Sequence, residues 1–278
     1  MGGPVDLHTH TTASDGTLPP EALVREAVRQ GVRVLAVTDH DSTEGLPAAL
    51  AEARRQPPLE IVPGLEINCD VPGAEVHVLG YCVDWEAAWF QAFLREQRAE
   101  RRARVVRIAG RLAELGMPID ADEVFALVQE GAAGRPHVAR VMVARGYVKS
   151  VREAFDRYLH AGGPAHVPRR RLTPAEAVGV IRRARGVPVL AHPGLADQDE
   201  LVPGLVAAGL EGIECYYPEH SAARTAHYVD LCREHGLVAT GGSDFHGPRT
   251  GRTNPPGSPA VSLAVWEALK ERALLCRA

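Results

Sequence analysis

Short apolar runs, most of them closed by a histidine or a carboxylate and followed by a helical stretch, recur along the whole 278-residue chain. Residues 5–10, 32–37, 59–67, 75–83, 187–191, 210–215 and 237–241 read as strands, being short, β-rich and bounded by Gly, Pro or charged segments. Pro19-Pro20 opens a helix that Gly31 stops, residues 43–55 read as helical, and Thr173-Pro174 opens a helix to Ala184. Further helices end at Gly209 and Gly236, and a last one runs from Pro259 to Leu275. Pro72-Gly73 separates two strands that have no helix between them. Alternation of this kind predicts an α/β fold with a mostly parallel sheet. In barrel-like folds the chemistry sits at the C-terminal ends of the strands.

Residues 85–164 interrupt the alternation. They are helical, rich in Arg, Ala and Glu, and broken at Gly116-Met117-Pro118 and residues 131–136, with Gly162-Gly163-Pro164 closing the stretch. The expectation is a small helical insertion or cap between two barrel parts, residues 1–84 and 165–278.

The residues at the strand ends carry the functional signal. The first strand ends in Asp6-Leu7-His8-Thr9-His10, and residues two apart on a strand face the same way, so His8 and His10 can grip one ion. Asp15 comes next, in Ser14-Asp15-Gly16. The second strand ends in Thr38-Asp39-His40-Asp41, the third in Gly64-Leu65-Glu66, the fifth in Ala191-His192-Pro193 and the seventh in Ser243-Asp244-Phe245-His246, while His77 lies on the fourth. One strand-end histidine is ordinarily a hydrogen-bonded loop residue. The same residue types recurring at strand ends on one edge predict a metal site. Imidazole mixed with carboxylate, without thiolate, suits Mn²⁺, Zn²⁺ or Fe²⁺ in open sites. Nine candidates exceed the needs of one ion and suffice for two or three. Clustered divalent ions suit phosphoryl chemistry, because they activate a bridging water as hydroxide and neutralise phosphate oxygens.

The rest of the sequence narrows the class by exclusion. Five scattered cysteines without a CxxC pair point to reduced thiols, and the start of the chain has neither the basic nor the apolar segment of a signal peptide. With no apolar run long enough to span a membrane, the expected location is the cytoplasm. A net charge of −4 and the absence of a reading helix argue against sequence-specific DNA binding. Ser14 and Ser243 sit in no GxSxG elbow, and Gly241-Gly242-Ser243 lacks the lysine of a P-loop; these glycines are expected to let the backbone approach the metals.

The motifs Asp6-Leu7-His8-Thr9-His10, Ser14-Asp15-Gly16, Thr38-Asp39-His40-Asp41, Gly64-Leu65-Glu66, His77, Ala191-His192-Pro193 and Ser243-Asp244-Phe245-His246 together resemble those of the polymerase-and-histidinol-phosphatase (PHP) family. The resemblance implies a distorted (β/α)₇ barrel. It also implies a grouping of ligands: His8, His10, Glu66 and Asp244 on one ion, Glu66 bridging to a second shared with His77 and His192, and Asp15, His40 and His246 on a third. Gly134-Arg135-Pro136-His137, with Phe155-Asp156-Arg157-Tyr158-Leu159 and Gly162-Gly163-Pro164, resembles the subgroup of 3′,5′-nucleoside bisphosphate phosphatases, some of which also trim short RNA from the 5′ end. By that resemblance Arg101, Arg102 and Arg135 contact the substrate's second phosphate or its nucleotide, and His137 beside them is expected to add a polar contact at the site. The physical alternatives are a solvated arginine face pairing with Glu96 and Glu100, and a helix-start histidine after Pro136. Asp39 is expected to orient an imidazole and Asp41 to face solvent, where it could protonate the leaving oxygen; Glu214 is either a site residue or a hydrogen-bonded strand-end carboxylate.

The expected activity is therefore hydrolysis of a phosphomonoester, namely removal of the 3′-phosphate from a nucleoside 3′,5′-bisphosphate, with short single-stranded 5′-phosphorylated RNA as a related substrate. The alternatives are another small ester such as histidinol phosphate or a cyclic phosphate, and a non-catalytic, metal-stabilised nucleotide-binding module.

Overall fold

Seven strands pair in chain order in the computed structural model, which describes residues 3–71, 74–128, 131–168, 172–248, 250 and 254–277. They are β1 Val5–Asp6, β2 Val34–Val37, β3 Glu60–Val71, β4 Ala74–Tyr81, β5 Val187–Leu190, β6 Gly212–Tyr216 and β7 Val238–Gly241. Leu7 N–H donates to Gly241 O at 3.3 Å and His10 N–H to Phe245 O at 2.9 Å, so the last strand returns to the first and nearly closes a barrel. Gly242 permits that closure: a Cβ there would lie 2.4 Å from the His8 nitrogen. Its role is thus strand approach rather than the approach to metal expected from sequence.

The sheet is parallel except at β4, which pairs antiparallel with both β3 and β5. The hairpin turn expected at Pro72-Gly73 lies outside the described residues. The inversion has a consequence for the site. On β4 the N-terminal half, not the C-terminal end, meets the rim formed by the ends of the parallel strands. His77 therefore stands opposite Asn68, two residues beyond Glu66 on β3.

The helices are α1 Pro20–Arg29, α2 Leu46–Ala53, α3 Ala88–Glu114, α4 Ala121–Ala126, α5 Arg135–Ala144, α6 Val151–Ala154, α7 Pro174–Arg183, α8 Val202–Ala208, α9 Ala222–His235 and α10 Leu263–Arg277, with a π-helical turn at Phe155–Leu159. Helix α7 starts as its sequence predicts: the Thr173 hydroxyl accepts from Glu176 N–H and the Glu176 carboxylate from Thr173 N–H. Period-2 burial divides the strands between layers. Leu35 and Val37 pack with Leu23, Val24 and Ala27 of α1 and Leu46 of α2, whereas Val34 and Ala36 join Val5, Leu7 and α10 residues Trp266 and Leu269.

Helix α3 belongs to two cores. Its Phe90 and Leu94 pack with Leu65, Ile67 and Ile181 of the barrel. Its Val105, Ile108 and Leu112 pack with Val124, Val138, Met142 and Leu159 in a separate helical cluster. One 27-residue helix thus joins the helical cluster to the barrel core.

Candidate metal centre and active site

The strand ends bring six imidazoles and three carboxylates into four overlapping groups, with the donor atoms of each group within 4.8 Å of one another. The groups are His8, His10 and Glu66; His8, His192 and Asp244; His40, Glu66 and His77; and His10, Asp15, His40 and His246. Glu66 is the hub. Its Oε2 lies 3.3 Å from His8 Nε2, 3.3 Å from His10 Nε2 and 3.0 Å from His40 Nδ1. Its Oε1 lies 2.7 Å from His77 Nδ1 and 3.0 Å from His192 Nε2. Asp244 Oδ1 stands 3.2 Å from His10 Nε2, and Asp15 Oδ1 stands 3.1 Å from His246 Nε2.

These donors fit divalent cations on grounds of their own. His8 Nε2, His10 Nε2, His40 Nδ1, Asp15 Oδ1 and Glu66 Oε2 are buried without a hydrogen-bond partner. Stranding so many polar atoms in one place would cost several kcal/mol at about 1–3 kcal/mol each. Cations held by these overlapping groups would satisfy those atoms, and mixed nitrogen and oxygen donors suit divalent metal ions.

The charge states divide the imidazoles. Burial alone would lower His8, but the Glu214 and Glu66 carboxylates raise it to about 10. His77 is likewise raised against burial, to about 9, by Glu66 and Glu75. His10 is pushed well below its usual value by burial and by the neighbouring His246 and His40, and burial lowers His192. Burial would raise Glu66, yet the surrounding imidazoles hold it well below the usual carboxylate range.

Groups behind the rim fix its geometry. Glu214, on β6, takes His8 Nδ1 at 2.9 Å and accepts His192 N–H at 2.8 Å, which resolves its role as an orienting carboxylate. The Tyr217 hydroxyl donates to Asp244 Oδ2 at 2.9 Å. Asp6 accepts from Ser243 N–H and Gly257 N–H and so ties the loop after β7 to β1. Asp39 accepts from the Thr11 and Ser14 hydroxyls and from Thr11 N–H; it orders the loop that carries Asp15 rather than an imidazole, contrary to expectation. Asp41, His192 and Asp244 have φ of 45°, 26° and 50°, a left-handed backbone that such residues adopt at a cost of order 1–3 kcal/mol each. At His192 and Asp244 the tight strand-end turns that aim side chains at the rim account for this strain, and at Asp41 the turn meets Arg101.

A cavity of about 270 Å³ opens over the rim and is lined on its far side by Arg101, Arg104 and Arg135. Arg101 Nε donates to Asp41 Oδ2 at 2.7 Å and its NH2 to Asn68, Arg104 Nε donates to Val167 O at 2.8 Å, and Arg135 pairs with Glu75. Three expectations need correction. Arg102 is exposed and stacks on the Phe125 ring, 3.7 Å from its centroid, on the other side of α3. His137 is fully buried and its Nδ1 accepts from Gly134 N–H at 3.1 Å, so it is the helix-start residue and does not line the cavity. Asp41 is buried under Arg101 and does not face solvent. Arg104, Asn68, Glu75 and Tyr217 were not foreseen. The arginine had a signal: Phe90, Leu94, Val105, Ile108 and Leu112 form an apolar helical stripe with gaps that Arg98 and Arg101 fill, and Arg104 adjoins it.

The PHP domain profile matches residues 6–166, more than half of the chain. The chain belongs to the PHP domain family. Among curated PHP relatives, it is 37% identical over 249 residues to the 5′-3′ exoribonuclease Rnm of Salmonella typhimurium, covering 87% of this chain and 85% of that protein. It is 33% identical over 279 residues to the 3′,5′-nucleoside bisphosphate phosphatase of Chromobacterium violaceum, covering 97% and 98%. It is 34% identical over 246 residues to the phosphoribosyl 1,2-cyclic phosphate 1,2-diphosphodiesterase of Eggerthella lenta, covering 87% and 94%. A crystal structure described as a metal-dependent phosphoesterase from Bifidobacterium adolescentis superposes with a TM-score of 0.88 at 29% identity, over 96% of this chain and 95% of that one. The chain is accordingly a phosphoric ester hydrolase, and the histidine–carboxylate rim is a candidate site for divalent metal.

Proposed function

We propose that the chain removes the 3′-phosphate from nucleoside 3′,5′-bisphosphates and acts by the same chemistry on short 5′-phosphorylated RNA. The observation that carries this reading is the facing arrangement across one cavity: the histidine–carboxylate rim on one side and three guanidiniums on the other. A rim alone suits many phosphate esters. The arginines add a separate recognition point for a second anionic group, and their planar forks match phosphate oxygens.

Two to three divalent ions, Mn²⁺ foremost, would be held by His8, His10, Asp15, His40, Glu66, His77, His192, Asp244 and His246. Bound there, they would supply Lewis acidity and an activated water near neutral pH. The chain's own groups do the positioning. Glu66 bridges the two halves of the rim, Glu214 fixes the His8 ring, and Tyr217 fixes Asp244. Arg101, Arg104 and Arg135 hold the 5′-phosphate so that the 3′-ester meets the rim. The helical segment 85–164 serves as a cap that brings these arginines over the barrel mouth. All five cysteines are free thiols and no helix among the described residues is long and apolar enough to cross a membrane, which supports a cytoplasmic setting.

The test is phosphate release in Mn²⁺ from adenosine 3′,5′-bisphosphate, AMP, histidinol phosphate and a ribosyl cyclic phosphate, by wild type and Asp244→Asn. Preferred turnover of the bisphosphate, lost in the variant, is the expected result. Preference for another ester would overturn the substrate and keep the hydrolase. Metal binding without turnover of any ester would leave a nucleotide-binding module.

A further inference from the structure

Asp15 reaches the rim from the loop 11–16, and that loop is held from two sides. From the barrel side, Asp39 accepts from Thr11 N–H and from the Thr11 and Ser14 hydroxyls, and Gly16 N–H donates to Thr11 O at 3.0 Å. From the helical insertion, Ala132 N–H donates to Ala13 O at 3.0 Å, and Gly131 comes so close that a Cβ there would lie 2.3 Å from that same oxygen. The Ser14 backbone faces the ring of the buried His137, and Arg140 donates to the backbone carbonyl of Asp15 itself. Residues 131–140 of the insertion therefore touch three consecutive loop residues, Ala13, Ser14 and Asp15. Arg140 bonds the carbonyl of Asp15 and leaves its carboxylate to the rim. Asp15 Oδ1 is buried without a hydrogen-bond partner and stands 3.1 Å from His246 Nε2, and Oδ2 stands 3.8 Å from His40 Nε2.

We propose that Arg140 is the positioning residue of Asp15, and that the insertion thereby completes the ion subsite formed by His10, Asp15, His40 and His246. The inference rests on the metal rim of the proposed function and not on which ester is cleaved. The barrel places the imidazoles of this group: His10 N–H bonds Phe245 O at 2.9 Å, and His40 pairs with Glu66 across the strand ends. Asp15 is the sole carboxylate of the four, so the anionic donor of the subsite is the one whose main chain the insertion holds. Without the guanidinium, the carbonyl would turn to water in the adjoining cavity of about 260 Å³, which Asp15, Arg140 and His246 all border. Water would satisfy the oxygen but would not fix its direction, and the carboxylate two bonds away would lose its aim. Arg135 and Arg140 lie on the same helix, so the element that presents a cation to the cavity over the rim also sets a metal ligand. Groups that orient a ligand in this way are typically worth about 10- to 100-fold in metal affinity.

The experiment is a Mn²⁺ titration of the full chain, with free Mn²⁺ read from its paramagnetic resonance signal, for wild type, Asp15→Asn, Arg140→Gln, Arg140→Lys and Arg145→Gln. Asp15→Asn should weaken one ion and spare the rest. Arg140→Gln should weaken that same ion by about tenfold, and Arg140→Lys, which keeps a donor without the planar fork, by about threefold. Arg145, exposed at the far end of α5 and paired with Glu123, is the control; its variant should titrate as wild type does. A merely structural contact would lower the melting temperature of the metal-free protein and leave every ion affinity unchanged. That result in Arg140→Gln would overturn the inference, as would an equal weakening of all ions or an Asp15→Asn titration identical to wild type. Should Arg140→Gln fail to fold, the lysine variant decides: selective weakening of the Asp15-dependent ion supports the inference, and unchanged affinities overturn it. Turnover of an ester other than the bisphosphate would overturn the proposed substrate and leave this inference standing. A wild type that binds no Mn²⁺ would fault the metal rim and this inference together.

Discussion

The rim and the cap face each other across one cavity but are built on opposite principles. At the rim, side chains are short, buried and attached to strand ends; Glu214, Tyr217 and Asp6 brace them from behind, and two strained backbone positions, His192 and Asp244, aim them. In the cap, the polar groups are long arginine side chains from helices with a hydrophobic core of their own, each tethered by one or two bonds to Asp41, Asn68, Glu75 or Val167. Preorganised donors suit charge stabilisation in a reaction, where small misplacements are costly. Long tethered cations suit recognition of a second group that varies between substrates. The difference implies that damage to the rim should appear in kcat and damage to the cap in KM and substrate choice.

The largest effect should come from the hub. Glu66→Gln should lower kcat on the order of a thousandfold, the several kcal/mol that ion-assisted charge stabilisation supplies, while far-ultraviolet circular dichroism stays native. A kcat close to wild type would remove Glu66 from the reaction. Glu214→Ala should come next, with a roughly 10- to 100-fold loss of metal affinity or activity measured by metal titration, because His8 loses its orienting partner. An unchanged titration would return Glu214 to a purely structural role.

The cap should respond differently within one helix. Arg101→Ala should raise KM for the bisphosphate about tenfold and destabilise the fold by roughly 3 kcal/mol, since the buried Asp41 carboxylate loses its guanidinium partner. Adding Asp41→Asn should restore much of the stability in urea titrations without restoring KM. Arg102→Ala should change stability by no more than about 0.5 kcal/mol and leave KM near wild type. Equal effects at 101 and 102 would contradict the orientation of α3.

The smallest effect is a dependence on pH. His8 and His77, raised to about 10 and about 9, carry protons at neutral pH in the metal-free protein. Their raised values contribute stability that is fully present below the ordinary histidine value near 6.5 and is lost as pH climbs through about 9 and 10. Metal requires both rings deprotonated at the binding nitrogen, so Mn²⁺ affinity should rise with pH over the same window and binding should release protons, measurable by calorimetry in buffers of different ionisation enthalpy. Affinity that falls with rising pH would reverse the assignment.

How far the sequence disclosed these two regions depends on side-chain length and periodicity. The first strand is shorter than its sequence suggests, Val5–Asp6, yet His8 and His10 just beyond it, two residues apart, both reach Glu66 as alternation along an extended chain predicts, and the parallel strands had to end on one edge. His77 was harder, because β4 runs against its neighbours and reaches the rim with its N-terminal half; nothing in residues 74–81 announces that direction. Asn68 and Glu75 were missed with it, since they enter through the β3–β4 register. On α3 the residue types are visible among seven arginines, but which of them reach the cavity depends on the buried stripe of the helix, which puts Arg101 and Arg104 toward the cavity and turns Arg102 away to Phe125. Glu214 and Tyr217 depend on distances across the barrel that no local pattern encodes.

The most direct test of the central claim is the number of Mn²⁺ ions bound per chain, measured by elemental analysis after loading and desalting, for wild type and Glu66→Gln. A hub carboxylate shared between ions predicts at least two per chain in the wild type and a loss of more than one in the variant. A single ion in the wild type, or a count unchanged by the substitution, would contradict the account.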